Sequence, residues 1–307
     1  MSFYNVFLAI FTLFIVGITG FVSRRIGIMT KEMADNIPKF ITHVTMPAMF
    51  LTSMQLTFSW DRLAGLGYIL GTALVAYSIQ FLAAFLIPRL LGESGSPDKG
   101  VYQFMMIFSN AAFMGFPVLN SIFGQEAVFY GAVFNLPFNA LVFTLGVYIM
   151  QKEKGSFKAR QLVSPALIAT IIGMMFFIFS IKIPGMINQP LSMIGDMTTP
   201  LSMIFIGASL SEVTFGGIFL KGKLYVVALF RLLLIPLVLL MILKPFVSDP
   251  IILGVPVVIM AMPVAALCSI IAKSYDNNVE LAAEGTFITT TLSMITIPFV
   301  VWILTII

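Results

Sequence analysis

Apolar runs alternate with short polar breaks along the whole chain, and the runs share a common length. Ten of them are found, at about 3–22, 38–58, 63–88, 100–123, 127–150, 162–182, 191–211, 223–243, 250–272 and 279–305. Each holds about 20 residues, the length at which a helix crosses the hydrocarbon core of a bilayer. The connections are too short for a soluble domain. The longest polar stretch is QKEKGSFKARQ, 151–161, between the fifth and sixth runs. The pattern predicts an all-α integral membrane protein of ten transmembrane helices. No basic region with a cleavage site opens the sequence, so the first run is expected to be kept as a helix.

Composition agrees. The chain is 59% hydrophobic and 10% charged, whereas a soluble chain carries roughly 25% charged residues. The basic residues are sorted by loop. Arg24, Arg25, Lys31, Lys39, Arg89, Lys99, Lys152, Lys154, Lys158, Arg160, Lys221, Lys223 and Lys273 fall on one side. Arg62, Lys182 and Lys244 fall on the other, and Arg231 lies within the eighth run. The positive-inside rule makes the first side cytoplasmic and leaves both termini extracytoplasmic, in a multi-pass protein of the cell membrane. The net charge of +4 is used up by this sorting and gives no reason to expect nucleic acid. With Cys268 as the sole cysteine and His43 as the sole histidine, neither a disulfide framework nor a Cys/His metal cluster is expected. No phosphate loop and no nucleophile–base set is found, so neither a cofactor nor an enzyme is expected.

A shift of 153 residues aligns the halves: Gly20 meets Gly173, Thr45 meets Thr198, Pro47 meets Pro200 and Pro97 meets Pro250. Residues 1–153 and 154–307 each hold five runs. An odd number sends the second copy in from the opposite side, so the repeats are expected to be inverted. Inverted repeats with discontinuous helices build secondary transporters, with substrate bound near the midplane.

Two runs carry breakers in matching places. FSNAAFMGFPVLN, Phe108–Asn120, holds Gly115 and Pro117, and GVPVVIMAMPVAALCS, 254–269, holds Pro256 and Pro263. Proline removes a backbone donor and clashes with the carbonyl four residues earlier. In hydrocarbon, freed backbone groups must be buried in protein or face water. Runs four and nine are therefore expected to be broken helices that cross near the membrane centre. Their half-helix N-termini would aim partial positive charge at an anion, with Asn110 placed to donate to a carboxylate. The plainer reading is a kinked, packed helix with Asn110 bonded to a neighbour.

These residues resemble a known family. SNAAFMGFPV is similar to the fourth-helix motif of the auxin efflux carrier family. DNIPKFITHVTMPAMFLTSM resembles its second helix, and AMPVAALCSIIAKSYDNNVELAAEGTFITTTLSMITIP its ninth and tenth. The resemblance covers essentially the whole chain. It implies the fold of bile-acid/sodium symporters, with a scaffold from spans 1, 2, 6 and 7 and a core transport domain from spans 3–5 and 8–10. It also implies transport of organic anions, auxin in plants and malate or malonate in bacteria. Substrate-binding candidates are Asn110, Ala111, Gly115, Pro117, Pro263, Ala265, Ser269 and Asn139. One departure stands out. The family often carries an asparagine just after the ninth-helix proline, where this chain has Val264, Ala265, Ala266, Leu267 and Cys268.

Ionisable residues inside a membrane usually face the bundle interior or a cavity. His43 and Asp196 match under the repeat, each four residues before a proline. Glu284, one turn beyond Glu280, meets desolvation that favours a bound proton or cation. These three are the ion-coupling candidates, each with a structural alternative. Arg231 is open between attracting an anion and pairing with a carboxylate or carbonyls. Gly65–Gly71, GLGYILG, reads as a small-residue packing surface. The function expected is a secondary transporter of a small organic anion working by alternating access. The alternative is a channel or uncoupled facilitator. A membrane enzyme or sensor lacks a catalytic set and an output domain. The partners to look for are the anion, a proton or sodium ion, the lipid bilayer and a second copy docked through the scaffold helices.

Overall fold

A computed structural model describes residues 3–151, 164–211 and 221–306 of the chain. Most of the basic loop 151–161 lies outside the described residues. Everything regular among them is helical, with no strand. The first half runs α1 (Phe3–Arg25), α2 (Lys31–Phe40), α3 (Met46–Ser53), α4 (Trp60–Leu90), α5 (Lys99–Ile107), α6 (Phe116–Phe123), α7 (Gln125–Phe134), α8 (Leu136–Leu141) and α9 (Val147–Met150). The second runs α10 (Pro165–Ile178), α11 (Gly185–Asp196), α12 (Thr198–Ser211), α13 (Gly222–Leu229), α14 (Ile235–Leu243), α15 (Pro250–Met260), α16 (Leu267–Ser274) and α17 (Val279–Ile306). Among the described residues six helical stretches are long and apolar enough to cross a membrane: Phe7–Arg25, Trp60–Leu90, Gln125–Met150, Gly185–Ser211, Gly222–Leu243 and Val279–Ile306. The other four apolar runs are shorter helices, bent helices or helices in two pieces.

Local sequence explains the ends and bends. Hydroxyl and carboxylate side chains cap the orphan N–H groups of first turns. Ser59 accepts from Arg62 N–H at the start of α4, Ser164 from Leu167 N–H at α10, and Asp249 from Ile251 and Ile252 N–H at α15. Wide π-turns occur at Ile41–Thr45, Ala111–Gly115, Val142–Gly146 and Phe230–Leu234. Three of them stand just before Pro47, Pro117 and Pro236. The residue four before each proline, whose carbonyl its ring would strike, lies inside the turn. An extra residue in that turn moves the carbonyl aside without ending the helix. Pro117 therefore bends its helix rather than breaking it, which corrects the expectation from sequence, and Pro256 lies within α15.

The described helices form two groups of close neighbours that also pack on each other, α1 on α6 and α17 and α3 on α7. In one, α1 lies along α12, and α3 lies along α10 and α11. In the other, α4 packs on α5 and α7, α15 on α7, and α13 and α16 on α17. Phe50–Phe116, Phe113–Phe205 and Phe129–Phe177 ring contacts join the sets, at 4.7, 5.0 and 5.0 Å between centroids. The α1–α12 approach is so close that a Cβ on Gly207 would land on the Gly17 carbonyl, and one on Gly20 on the Ile204 carbonyl. Of the glycines at 65–71, Gly65 alone packs, against Tyr130, and Gly67 and Gly71 face open space. Phe11, Leu74, Met186 and Ile295 are exposed while Gln80, Arg231 and Thr289 are fully buried. That inverted distribution suits acyl chains, not water.

Gly207→Ala should lower thermal stability in detergent by about 1–3 kcal/mol, the usual cost of overpacking, whereas Gly71→Ala should leave it unchanged or slightly raised. A neutral Gly207→Ala would mean that α1 and α12 are not in backbone contact.

A pH effect follows from the loop between α4 and α5. Lys223 Nζ reaches Glu93 Oε1 at 2.5 Å. That bond first, and then one from Ser96, holds the Glu93 carboxyl below its ordinary 4.5. The pair therefore stabilises above pH 4.5, and the contribution disappears as pH falls through the lowered folded-state value. Glu93→Gln should flatten the acid limb of the thermal-stability profile and change little at neutral pH, where an exposed pair contributes ~0–1 kcal/mol.

Candidate functional site

The helix formed by α5 stops at Ile107, and α15 stops at Met260. The extended residues beyond them meet. Ser109 and Val264 form an antiparallel bridge. The Asn110 N–H donates to the Pro263 carbonyl at 2.8 Å, and the Ala265 N–H to the Phe108 carbonyl at 3.0 Å. The two interrupted segments thus cross, and each supplies the backbone partners that the other lost. The breaks sit at Phe108–Asn110 and near Pro263.

Side chains complete the pairing. Arg231 projects from the π-turn between α13 and α14 and is 0% exposed. Its Nη1 donates to the Met106 carbonyl at 3.1 Å and its Nε to the Met262 carbonyl at 3.3 Å. Both carbonyls lie at the ends of half-helices, where partial negative charge collects. The guanidinium therefore offsets two helix C-termini at once through Nη1 and Nε, while its Nη2 is buried without a partner among the described residues. Thr289 on α17 accepts from the Val264 N–H at 3.2 Å and donates to the Gly285 carbonyl at 2.7 Å. A threonine from a neighbouring helix thus serves the ninth run, which lacks the asparagine of the resemblance.

Asn110 is 4% exposed. Its Oδ1 accepts from the Phe113 N–H at 3.3 Å and its carbonyl from the Met114 and Gly115 N–H groups. Its Nδ2 makes no hydrogen bond to a described residue, so one donor is left over beside the start of the second half-helix. Ala111 and Gly115 belong to the π-turn after it, with Gly115 beside Met262. Pro117 opens α6, and Ser269 lies half-buried in the first turns of α16. The crossing thus unites Asn110, Ala111, Gly115, Pro263 and Ala265. Asn139 lies on α8, and its side chain is outside the described residues.

The ion-coupling candidates are not at the crossing. Glu284 is buried and takes Lys221 Nζ at 2.6 and 2.7 Å, with Glu280 at 3.9 Å from the same ammonium. It stands five residues before Thr289, about 7 Å along α17. His43 is exposed, with Nδ1 2.9 Å from the Lys39 carbonyl, and Asp196 is exposed at the end of α11. Three groups were missed from sequence: Thr289, Ser202 and Gln80. The Thr run in FITTTLSM and the lone amide in the apolar α4 were their signals. Both amide atoms of Gln80 and the Ser202 hydroxyl are buried without a partner among the described residues.

Two half-helices end and two begin at one buried meeting point, inside a bundle with an apolar exterior, as in a multi-pass membrane protein. A profile of the family described as membrane transport protein matches residues 5–161 and 154–301, and the chain belongs to that family, the auxin efflux carrier type that its motifs resemble. It is 25% identical over 299 residues to an uncharacterised transporter of Methanocaldococcus jannaschii, covering 94% of this chain and 96% of the relative. It is 24% identical over 296 residues to an uncharacterised transporter of Methanothermobacter thermautotrophicus, covering 94% and 95%.

Arg231→Met should destabilise the protein by about 1–3 kcal/mol, because it strands buried carbonyls, although removing a buried charge offsets part of the loss. Arg231→Lys, a point donor unable to span both carbonyls, should fall between. Denaturant unfolding in detergent measures this, and parental stability in Arg231→Met would show that the guanidinium does not pin the crossing.

Proposed function

We propose that the protein is a secondary transporter of a small organic anion, a mono- or dicarboxylate such as malate or malonate or an auxin-like acid. It works by alternating access. The observation that carries the reading is the antiparallel bridge between the two broken helices, with the spare Nδ2 of Asn110 beside it. Half-helix N-termini there offer partial positive charge, and the buried Arg231, with Nη1 and Nε engaged by backbone carbonyls, adds a fixed one beside them, so a carboxylate is held there. Membership of a membrane transport family and the inverted order of matching runs support the same reading. In it, ten spans form two inverted five-helix repeats, 1–153 and 154–307. The α1–α3 and α10–α12 set is the scaffold, and the set bearing the crossing is the core that moves. Both termini are extracytoplasmic, and a second copy docks on the scaffold.

The chemistry divides among the candidates. Asn110 binds the carboxylate. Ala111, Gly115 and Ala265 keep the site narrow, Pro117 and Pro263 shape it, and Ser269 and Asn139 line its approaches. Glu284 carries the coupling to a proton or sodium ion, with Lys221 as its counter-charge, because it is the buried carboxyl nearest the crossing. His43 and Asp196 stand next in line.

Purified protein in liposomes should show saturable counterflow of the bound carboxylate. Asn110→Ala should weaken binding by about 1.5–3 kcal/mol, the worth of a hydrogen bond to a charged group, with normal expression. Unchanged affinity and rate would move the site elsewhere, and non-saturable flux without counterflow would favour a channel. Glu284→Gln should alter the dependence of uptake on pH or sodium. An unaltered dependence passes the role to His43 or Asp196.

A further inference from the structure

A cavity lies away from the crossing. It has a volume of about 330 Å³ and opens between the ends of α6, α14 and α17 and the start of α15. That volume falls in the ~300–1,000 Å³ range of ligand sites. Phe123, Ile251, Val301 and Leu304 form apolar walls, and Lys244 and Thr305 stand on the lining.

Lys244 differs from the other two basic residues on its side of the protein. Arg62 pairs with Glu126 at 3.0 Å and donates to the Thr57 carbonyl. Lys182 donates to the Gln55 and Leu56 carbonyls. The Lys244 ammonium makes no hydrogen bond or ion pair with a described residue. The nearby Asp249 carboxylate is committed to the first N–H groups of α15. Phe246, two residues after Lys244, and Trp302, next to the lining residue Val301, are exposed, and exposed aromatic rings favour the depth of lipid headgroups. Lys244 directly follows the apolar span Gly222–Leu243, and an uncommitted ammonium at the end of a span, over an apolar cleft, matches one kind of molecule on both counts.

We propose that this cleft is a lipid site, which seats an acyl chain of an anionic phospholipid and holds its phosphate on Lys244. It is independent of the transport site, so the failure of either reading leaves the other standing. The test is native mass spectrometry of the purified protein titrated with phosphatidylglycerol, phosphatidylcholine or palmitate. Phosphatidylglycerol should be retained about fivefold better than phosphatidylcholine, the worth of one interfacial lysine against an anionic headgroup. Lys244→Gln should erase that preference, and Ile251→Trp, which fills the cleft, should reduce retention of both phospholipids. Equal retention of the two lipids by the parent protein, or an undiminished preference in Lys244→Gln, overturns the proposal. So does Lys244-dependent binding of palmitate without binding of phosphatidylglycerol, which would make the cleft a site for a free amphiphilic acid.

Discussion

A backbone that leaves its helix inside a bilayer must find partners for its N–H and C=O groups within the protein. The arrangement of the whole crossing answers to that demand. Residues Phe108–Asn110 and Pro263–Ala265 satisfy one another through two backbone bonds, so neither break is stable without the other. What they leave unpaired is collected by Arg231 and Thr289, from two further helices. Four elements far apart in sequence are thereby committed to one point. Of the two helix starts there, one is capped by the neutral Asn110 amide and α16 has no side-chain cap, whereas the helix ends receive the Arg231 charge.

Much of this was legible in the chain. Apolar runs of membrane length become helices, since a lipid-facing backbone has no other way to satisfy itself. Asn110 was legible as well, because an amide beside a small-residue stretch in an apolar run has no cheap place except a polar interior. The motifs of runs two, four, nine and ten pointed to the family that the profile matches.

What escaped was set by distance in sequence rather than by local preference. Pro117 looks like the breaker, but a wide turn absorbs it. The chain departs from the helix at Phe108 because its partner is the segment at Pro263–Ala265, and nothing within a window of either residue announces that pairing. Glu284 reads as a lone carboxyl because Lys221 belongs to another helix. Thr289 reads as one of several threonines until Val264 is placed beside it.

The bonds between elements named here are distributed unevenly. The ion pairs and side-chain hydrogen bonds named above stay within one helix set or within the other, as with Lys182 to Gln55 and Arg231 to Met262. The side-chain contacts named across the division are phenylalanine rings, Phe113 on Phe205 and Phe50 on Phe116 among them. Hydrogen bonds fix an angle and a length, whereas rings in contact tolerate offset at little cost. On the proposed division into scaffold and core, slip along the aromatic contacts would disturb less than any strain on the knot of backbone bonds at Asn110 and Pro263.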